Sequence, residues 1–413
     1  MLKEFDPKRW EWNGKTALIF GISGQDGSYL SEFLLSKGYK VRGIVRRASL
    51  PNTSRIRHLD LFDDIYGKTP ESPFYLQYGD LGDSASIRTM LEEVKPDEVY
   101  NLGAQSHVGI SFRNPETTIN FNALGTLRIL EAIRDMKLNC KYYQASSSEM
   151  FGISPPPQNE NTNMLPQSPY GIAKLAAYHL TRMYRNAYGL FACNGILFNH
   201  ESPRRGLNFV TRKITLGIAK ILVGEEKELI LGNLDAKRDW GFSKEYVKVM
   251  WEILQHTEPD DFVVSTKETH TIREFLQEAF ALLNLNWEDF VKINDRYKRP
   301  AEVPALLGDS SKAEKVLYWN PKTRFKELVK MMIASDIKEK MREKGYLTKE
   351  DEQKDESFFI EKGKELGAKI MGRVKQEKVN KLFSNLNDLQ GHFPKEIIQN
   401  IKKEFEKDEN KLE

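Results

Sequence analysis

The sequence predicts an α/β fold: a doubly wound parallel sheet with a smaller C-terminal substrate-binding domain and an appended helical tail. Three observations carry this. A short apolar run, Lys15 to Phe20, opens through GISGQDG into a helical pattern that reaches Lys37. Later apolar runs alternate with amphipathic helices, so each strand returns by a crossover and lies parallel to the last. From about Lys338 dense charge with sparse apolar residues replaces that alternation. The expected organisation is an N-terminal extension over 1–14, a sheet domain over 15–198 with returns near 233–264 and 303–310, a mainly substrate-binding domain over 199–337, and a charged helical extension over 338–413.

In the first turn, Gly21 permits a tight bend and Gly24 lets the backbone approach a pyrophosphate. Gly27 lets the helix pack close to the strand, with phosphates meeting the helix N-terminus. The second strand, Lys40 to Val45, ends in Arg46 and Arg47, where an NAD-preferring site carries Asp or Glu. Two guanidinium groups there suit a 2′-phosphate, so NADP is favoured over NAD. Phe74 to Tyr78 forms a third strand ending in Gly79-Asp80-Leu81. Glu98 to Leu102 forms a fourth, ending in Gly103-Ala104-Gln105-Ser106, and Ala123 to Met136 is helical.

Lys141 to Ala145 continues the β-type pattern, which leaves Ser146, Ser147, Ser148 and Glu149 at a strand end, where parallel sheets carry chemistry. Pro155, Pro156 and Pro157 then break the chain. Ser168 reads as an N-cap and Pro169 as the first helical residue, so Tyr170 and Lys174 share a face on the opening turns of a helix. A free tyrosine, with a pKa of about 10, is a poor base at neutral pH. Bringing it to roughly 7 requires about 4 kcal/mol of preferential phenolate stabilisation, which Lys174 and a cationic cofactor ring are expected to supply. Tyr-x-x-x-Lys occurs on many amphipathic helices; its position after a Ser- and Glu-bearing strand end is what points to catalysis.

Ala192 to Leu197 is another buried strand, followed by FNHESPRRGLNFVTRK, a turn-rich stretch dense in His, Arg, Asn and Lys. Helices are expected over Thr211 to Leu222, Ser243 to Leu254 and Ile272 to Leu283. Leu229 to Leu231 and Phe262 to Ser265 are extended, and Arg299 to Val303 forms a rigid turn. In the tail, Leu366, Ile370 and Val374, then Val379, Phe383 and Leu386, then Ile397, Ile401 and Phe405 recur near helical spacing. These read as helices added to the core, so removal beyond Tyr346 is expected to leave activity largely intact.

The net charge of +3, with 29% charged residues of both signs, gives no basic stripe for nucleic acid. Cys140 and Cys193 are too few and too far apart for a disulfide framework or a zinc site. His107, His179, His200 and His270 have no metal-ligand spacing. No run approaches the roughly 18 apolar residues of a membrane span, and the N-terminus has no apolar signal core. A cytoplasmic protein is expected.

With these motifs in place, the chain resembles the extended short-chain dehydrogenase/reductases, which are Rossmann-type, and within them the GDP-mannose 4,6-dehydratase family. ALIFGISGQDGSYL, VRRASLPNTSRIRHL, YNLGAQSHVGISF, GILFNHESPRRGLNFVTRK and LGNLDAKRDWG carry the resemblance, from about Thr16 to about Ile337. It implies an NADP pyrophosphate at Gly21, Ile22, Ser23, Gly24, Gln25 and Asp26, with the 2′-phosphate on Arg46 and Arg47. Asp80 and Leu81 would meet the adenine, and Leu102, Gly103, Ala104, Gln105 and Ser106 the ribose and nicotinamide side. Tyr170, Lys174, His200 and Arg205 complete that site.

By the same resemblance, Asn199, Lys213, Arg238, Arg299 and Glu302 hold a GDP-sugar, and Ser147, Glu149, Tyr170 and Lys174 are catalytic. Ser147 stands where the family usually has Thr, and Thr117 where it often has Tyr. The implied reaction converts a GDP-hexose, GDP-mannose before a longer relative such as a heptose, to a 4-keto-6-deoxy sugar in a homotetramer, with Arg55 near a subunit contact. Sibling epimerases and reductases share the fold, the tyrosine and the lysine. They need no base for carbon 5, so Glu149 favours a dehydratase. The intact Ser147, Glu149, Tyr170 and Lys174 set speaks against a silent NADP-sensing scaffold.

Overall fold

The computed structural model describes residues 10–49, 52–59, 72–297 and 299–388, with side chains through Val374. The recurrences at Val379, Phe383 and Leu386 therefore have a described backbone only. Those at Ile397, Ile401 and Phe405 lie outside the described residues, as does most of the extension over 1–14. Six strands come first: β1 Thr16–Phe20, β2 Lys40–Val45, β3 Phe74–Tyr78, β4 Glu98–Asn101, β5 Lys141–Ser147 and β6 Ala192–Leu197. Short strands follow: β7 Asn199–Glu201, β8 Leu229–Leu231, β9 Lys237–Arg238, β10 Trp240–Phe242, β11 Asp261–Val264, β12 His270–Thr271 and β13 Val291–Ile293.

β1 to β6 and β11 form one parallel sheet in the order β3-β2-β1-β4-β5-β6-β11. The chain steps outward from β1 in one direction and from β4 in the other. The order therefore reverses between β1 and β4, and a crevice opens past their carboxyl ends. β1 shows why the sheet is buried on both faces. Ala17 and Ile19 join one core with Phe33 and Leu34 of the helix Gln25–Ser36 and with Val247 and Met250 of the helix Ser243–Gln255. Leu18 and Phe20 alternate to the other face, against Met90 and Leu91 of Ser84–Val94 and Ile129 and Ile133 of Gly125–Asp135.

Two sequence expectations shift. The strand before the Ser/Glu segment runs on to Ser147, two residues further than the apolar pattern shows. The expected helix over Ala123 to Met136 is preceded by Pro115–Ile119 and a π-type turn, Asn120–Leu124. Such turns are rare and cluster at functional sites.

Residues 210–222, 272–281 and 325–343 build a second core around Ile214, Ile218, Phe275, Phe280, Leu328 and Ile333. The tail is appended in sequence but packed in space. Its helix, Glu356–Asp388, places Phe359 and Ile360 in this core at 2% and 5% exposure. Gly363 faces the terminal methyls of Leu283 and Ile337, where a Cβ would stand 2.6 and 2.7 Å away. A bare backbone lets the helix lie that close. Phe359→Ala should therefore cost about 3–5 kcal/mol in urea unfolding, and truncation after Tyr346 should lower the midpoint at least as far. A truncated chain as stable as the whole would show the helix to be dispensable.

Candidate active site

A cavity of about 720 Å³ opens at the carboxyl ends of β1, β4 and β5 and is closed by segments between Phe198 and Glu302. Its floor is the turn after β1. Gly21 has φ of +84°, and a Cβ there would stand 2.8 Å from the backbone of Leu102 and Gly103. At Gly27 a Cβ would lie 2.4 Å from the Gly21 carbonyl oxygen. Only glycine fits at these two positions. Gly24 caps the following helix without a side-chain hydrogen bond, so backbone N–H groups face the cavity with the positive end of the helix dipole behind them. This cradle fits the pyrophosphate of a dinucleotide.

Gly21, Ser23, Gly24, Gln25 and Asp26 line the cavity, as do Asp80, Leu81 and the segment Leu102 to Ser106. Ile22 does not line it. Its side chain is buried under β2, where a Cβ on Gly43 would meet it at 2.2 Å, so only its backbone belongs to the turn. Both arginines are exposed; Arg46 lines the cavity beside Phe121, and Arg47 does not. Successive residues leaving a strand point to opposite sides, so one guanidinium faces inward. Arg55 also lines the cavity, donating to the Arg204 carbonyl at 2.7 Å and reaching the Ser23 carbonyl at 3.5 Å.

The opposite wall carries the four residues singled out at the end of β5. Ser168 accepts a hydrogen bond from the Gly171 N–H at 3.0 Å and Pro169 takes the first helical position, so the helix Pro169–Tyr188 starts where its sequence indicates. Gly171 lies against the Glu149 carbonyl, where a Cβ would approach to 2.7 Å. This contact brings Tyr170 beside the strand end. The Ser147 hydroxyl accepts from the Glu149 N–H at 3.2 Å and stands on the Tyr170 side of the wall, where it favours the ionised phenol.

Lys174 is held against β5, beside the Tyr170 ring. Its ammonium donates to the Ala145 carbonyl at 2.8 Å and lies 5.9 Å from the centre of the Tyr170 ring. Burial pushes the Tyr170 phenol up to about 12, with the Ser147 hydrogen bond pulling it partly back. Burial likewise brings Lys174 down to about 8. The protein's own groups thus leave the phenol more tightly protonated than a free tyrosine.

The Glu149 carboxylate faces two arginines, with Oε1 3.8 Å from Arg238 Nη2 and 4.0 Å from Arg299 Nη1. Glu302 bridges the same pair at 3.2 and 3.3 Å. Arg238 is anchored through Nη1 to the Val303 carbonyl at 2.8 Å. Asn199 and Lys213 complete this end of the cavity, the Lys213 ammonium lying 4.0 Å from the centre of the Tyr297 ring.

His200 and Asp26 join the two walls. His200 Nδ1 lies 2.7 Å from the Phe198 carbonyl and Nε2 lies 2.9 Å from Asp26 Oδ2. Both partners accept, so both ring nitrogens donate and the ring is an imidazolium. Burial opposes that charge, but the Asp26 carboxylate outweighs it and raises His200 above its ordinary value. Burial opposes the Asp26 charge as well. The His200 cation and the hydrogen bonds from His200 and Ser243 outweigh it and hold the carboxyl well below its usual range.

A family model for GDP-mannose 4,6 dehydratase matches residues 18–332. GDP-mannose 4,6 dehydratase 2 of Arabidopsis thaliana is 56% identical over 334 residues, covering 80% of this chain and 89% of its own. The chain belongs to the GDP-mannose 4,6-dehydratase family. The Homo sapiens member is 50% identical over 345 residues, covering 78% of this chain and 91% of its own. The solved structure of RMD from Pseudomonas aeruginosa complexed with NADPH shares the fold at a TM-score of 0.64 and 21% identity, covering 80% of this chain and 99% of that one.

This member of the dehydratase family has site residues that its motifs did not reveal. Asn122, from the π-type turn, accepts from the Gln105 N–H at 2.9 Å and donates to the Gln105 carbonyl at 3.0 Å, fixing the loop after β4. Trp240 and Tyr297 line the far end. Trp240 lay within a quoted motif, but neither residue carries a spacing signal of its own. Among the described residues, no three His, Cys, Asp or Glu side chains come together to hold a metal ion, and no helix is long and apolar enough to cross a membrane.

The His200–Asp26 pair makes a pH prediction. A raised histidine contributes stability that is fully present below its ordinary value of 6.5 and is lost as pH rises through its folded value. A depressed aspartate contributes stability present above 3.8 and lost as pH falls through its folded value. Both contributions are therefore complete only between about 4 and 6.5. By NMR, His200 should titrate above 6.5, and in Asp26→Asn below it, because burial and the Arg205 charge then outweigh the hydrogen bond to the Phe198 carbonyl.

Proposed function

We propose that this chain is a GDP-mannose 4,6-dehydratase with NADP as its internally recycled cofactor. The glycine cradle supports a dinucleotide. Arg46 at the cavity, with no acidic residue at the end of β2, supports the 2′-phosphate of NADP over the free ribose of NAD. A dinucleotide held by this cradle would supply the reversible hydride acceptor that the exchange between sugar carbons 4 and 6 requires.

The residues of the chain handle the protons. Tyr170 accepts the proton of the carbon 4 hydroxyl. Because burial holds this phenol near 12, its activation would rest on the positive charge of a bound cofactor ring, and Lys174, anchored on the Ala145 carbonyl, would be the ammonium offered to the cofactor's ribose hydroxyls. A ketone at carbon 4 acidifies the proton on carbon 5, which Glu149 removes. Glu149 then passes that proton, with Ser147 assisting, to the carbon 6 hydroxyl, which departs as water, and carbon 5 takes a solvent proton when hydride returns to carbon 6, Tyr170 giving its own proton back to solvent. Arg238, Arg299 and Lys213 offer the sugar diphosphate its cations, and guanidinium forks match phosphate geometry.

The observation that supports the dehydratase reading best is that Tyr170 and Glu149 line the same cavity beside Ser147, with the Glu149 carboxylate facing the Arg238 and Arg299 guanidinium groups. An epimerase or reductase has no use for a second proton acceptor at that place. Tyr170→Phe should abolish product. Glu149→Gln should lower formation of the 4-keto-6-deoxy sugar by roughly 10²- to 10⁴-fold and stop solvent deuterium entering carbon 5, both read by mass spectrometry. Near-normal dehydration in Glu149→Gln would sink these roles while leaving the cofactor site untouched.

The assembly that accompanies this reading is a homotetramer with Arg55 beside a subunit contact. Its support is the surplus of arginine in the segment from Arg46 to Arg57, more than one phosphate requires. A strictly monomeric mass by light scattering at micromolar concentration would contradict it.

A further inference from the structure

Asp336 lies on the helix Phe325–Glu343, outside the cavity and fully buried. Its Oδ1 is 2.6 Å from Nη2 of Arg212, and its Oδ2 accepts a 2.6 Å hydrogen bond from the Thr215 hydroxyl. Buried ion pairs of this kind add little net stability, since well-packed apolar residues of similar volume do as well or better. The other contacts of Arg212 give the pair a different use.

Arg212 is flanked by two residues that line the cavity, Thr211 and Lys213, but itself turns away from it. Its Nη1 donates to the carbonyl of Pro203. Two residues later in that loop, Arg205 lines the cavity, stacked 3.7 Å from the centre of the Phe209 ring and paired at 3.0 Å with the buried Glu201. The second anionic partner of Arg212 is Glu339, at 2.9 Å and half-exposed. Without the Asp336 carboxylate, the guanidinium would be left to Glu339 and drawn toward solvent, away from Pro203.

We propose that Asp336 is a positioning residue: through Arg212 it fixes the Pro203 carbonyl and thereby aims Arg205 at the cofactor half of the cavity. The helix that carries it belongs to the second core, so that core reaches the cofactor through two side chains. This inference rests on the reading above that Arg205 faces NADP, and the experiment separates the two.

NADP affinity is measured by titration calorimetry for Arg205→Met, Asp336→Asn and the double variant Arg212→Met/Asp336→Leu, with urea midpoints recorded beside it. The expected result is an NADP dissociation constant about tenfold higher in all three. The double variant should keep the urea midpoint of the parent, and its KM for GDP-mannose and kcat at saturating NADP should stay within about twofold, a split that general loosening of the fold would not produce. Parental NADP affinity in the folded double variant, with Arg205→Met weakened, overturns the inference alone. Parental affinity in Arg205→Met sinks the reading of Arg205 and this inference with it. Should the double variant fail to fold, Asp336→Asn decides, and an unchanged dissociation constant there overturns the proposal.

Discussion

The contact between the turn after β1 and the backbone after β4 constrains everything built above it. Gly21 reaches the Leu102–Gly103 backbone so closely that a single methyl group would not fit. This holds the crevice at the reversal of strand order open to a ligand and closed to side chains. The helix dipole, the loop from Leu102 to Ser106 and the wall formed by β5 and the helix Pro169–Tyr188 then face one another across a fixed gap. Backbone packing sets that gap, so the groups lining it can be polar or charged without having to hold the fold together.

The stretch from Asn199 to Phe209 is the joint between the two cores. It leaves the sheet at β6 and pairs β7 with β10. Gln25, Asp26, Glu32 and Arg55 tie it down from the first core, and Arg212 does so from the second. A loop so dense in charge is costly to bury alone. Here each cation has a carboxylate or carbonyl in reach, which explains the composition of the segment and its ordered path.

Much of the fold was legible because local chemistry and global packing agree. β2 and β3 fall where β-branched or aromatic residues cluster between turn signals, and Ser168-Pro169 marks a helix start that tertiary contacts merely accept. The rest depended on distances that sequence does not contain. Glu149, Arg238, Arg299 and Glu302 come from three separated segments, so their alternation of charge is visible only in space. The π-type turn at Asn120–Leu124 has no compositional mark. Inequality between Arg46 and Arg47 comes from the direction each takes on leaving β2. The tail looked separable because its apolar face is narrow, yet Gly363 lets that narrow face sink into the second core.

The depth at which Tyr170 is buried has a consequence for timing. A phenol held near 12 is ionised in roughly one molecule in 10⁵ at neutral pH. A sugar hydroxyl meeting this wall before the positively charged ring is in place would find no acceptor for its proton. In the proposed chemistry the sugar therefore reacts only while the dinucleotide shares the site with it. The premature encounter is idle because of the same desolvation that packs the ring against the strand end.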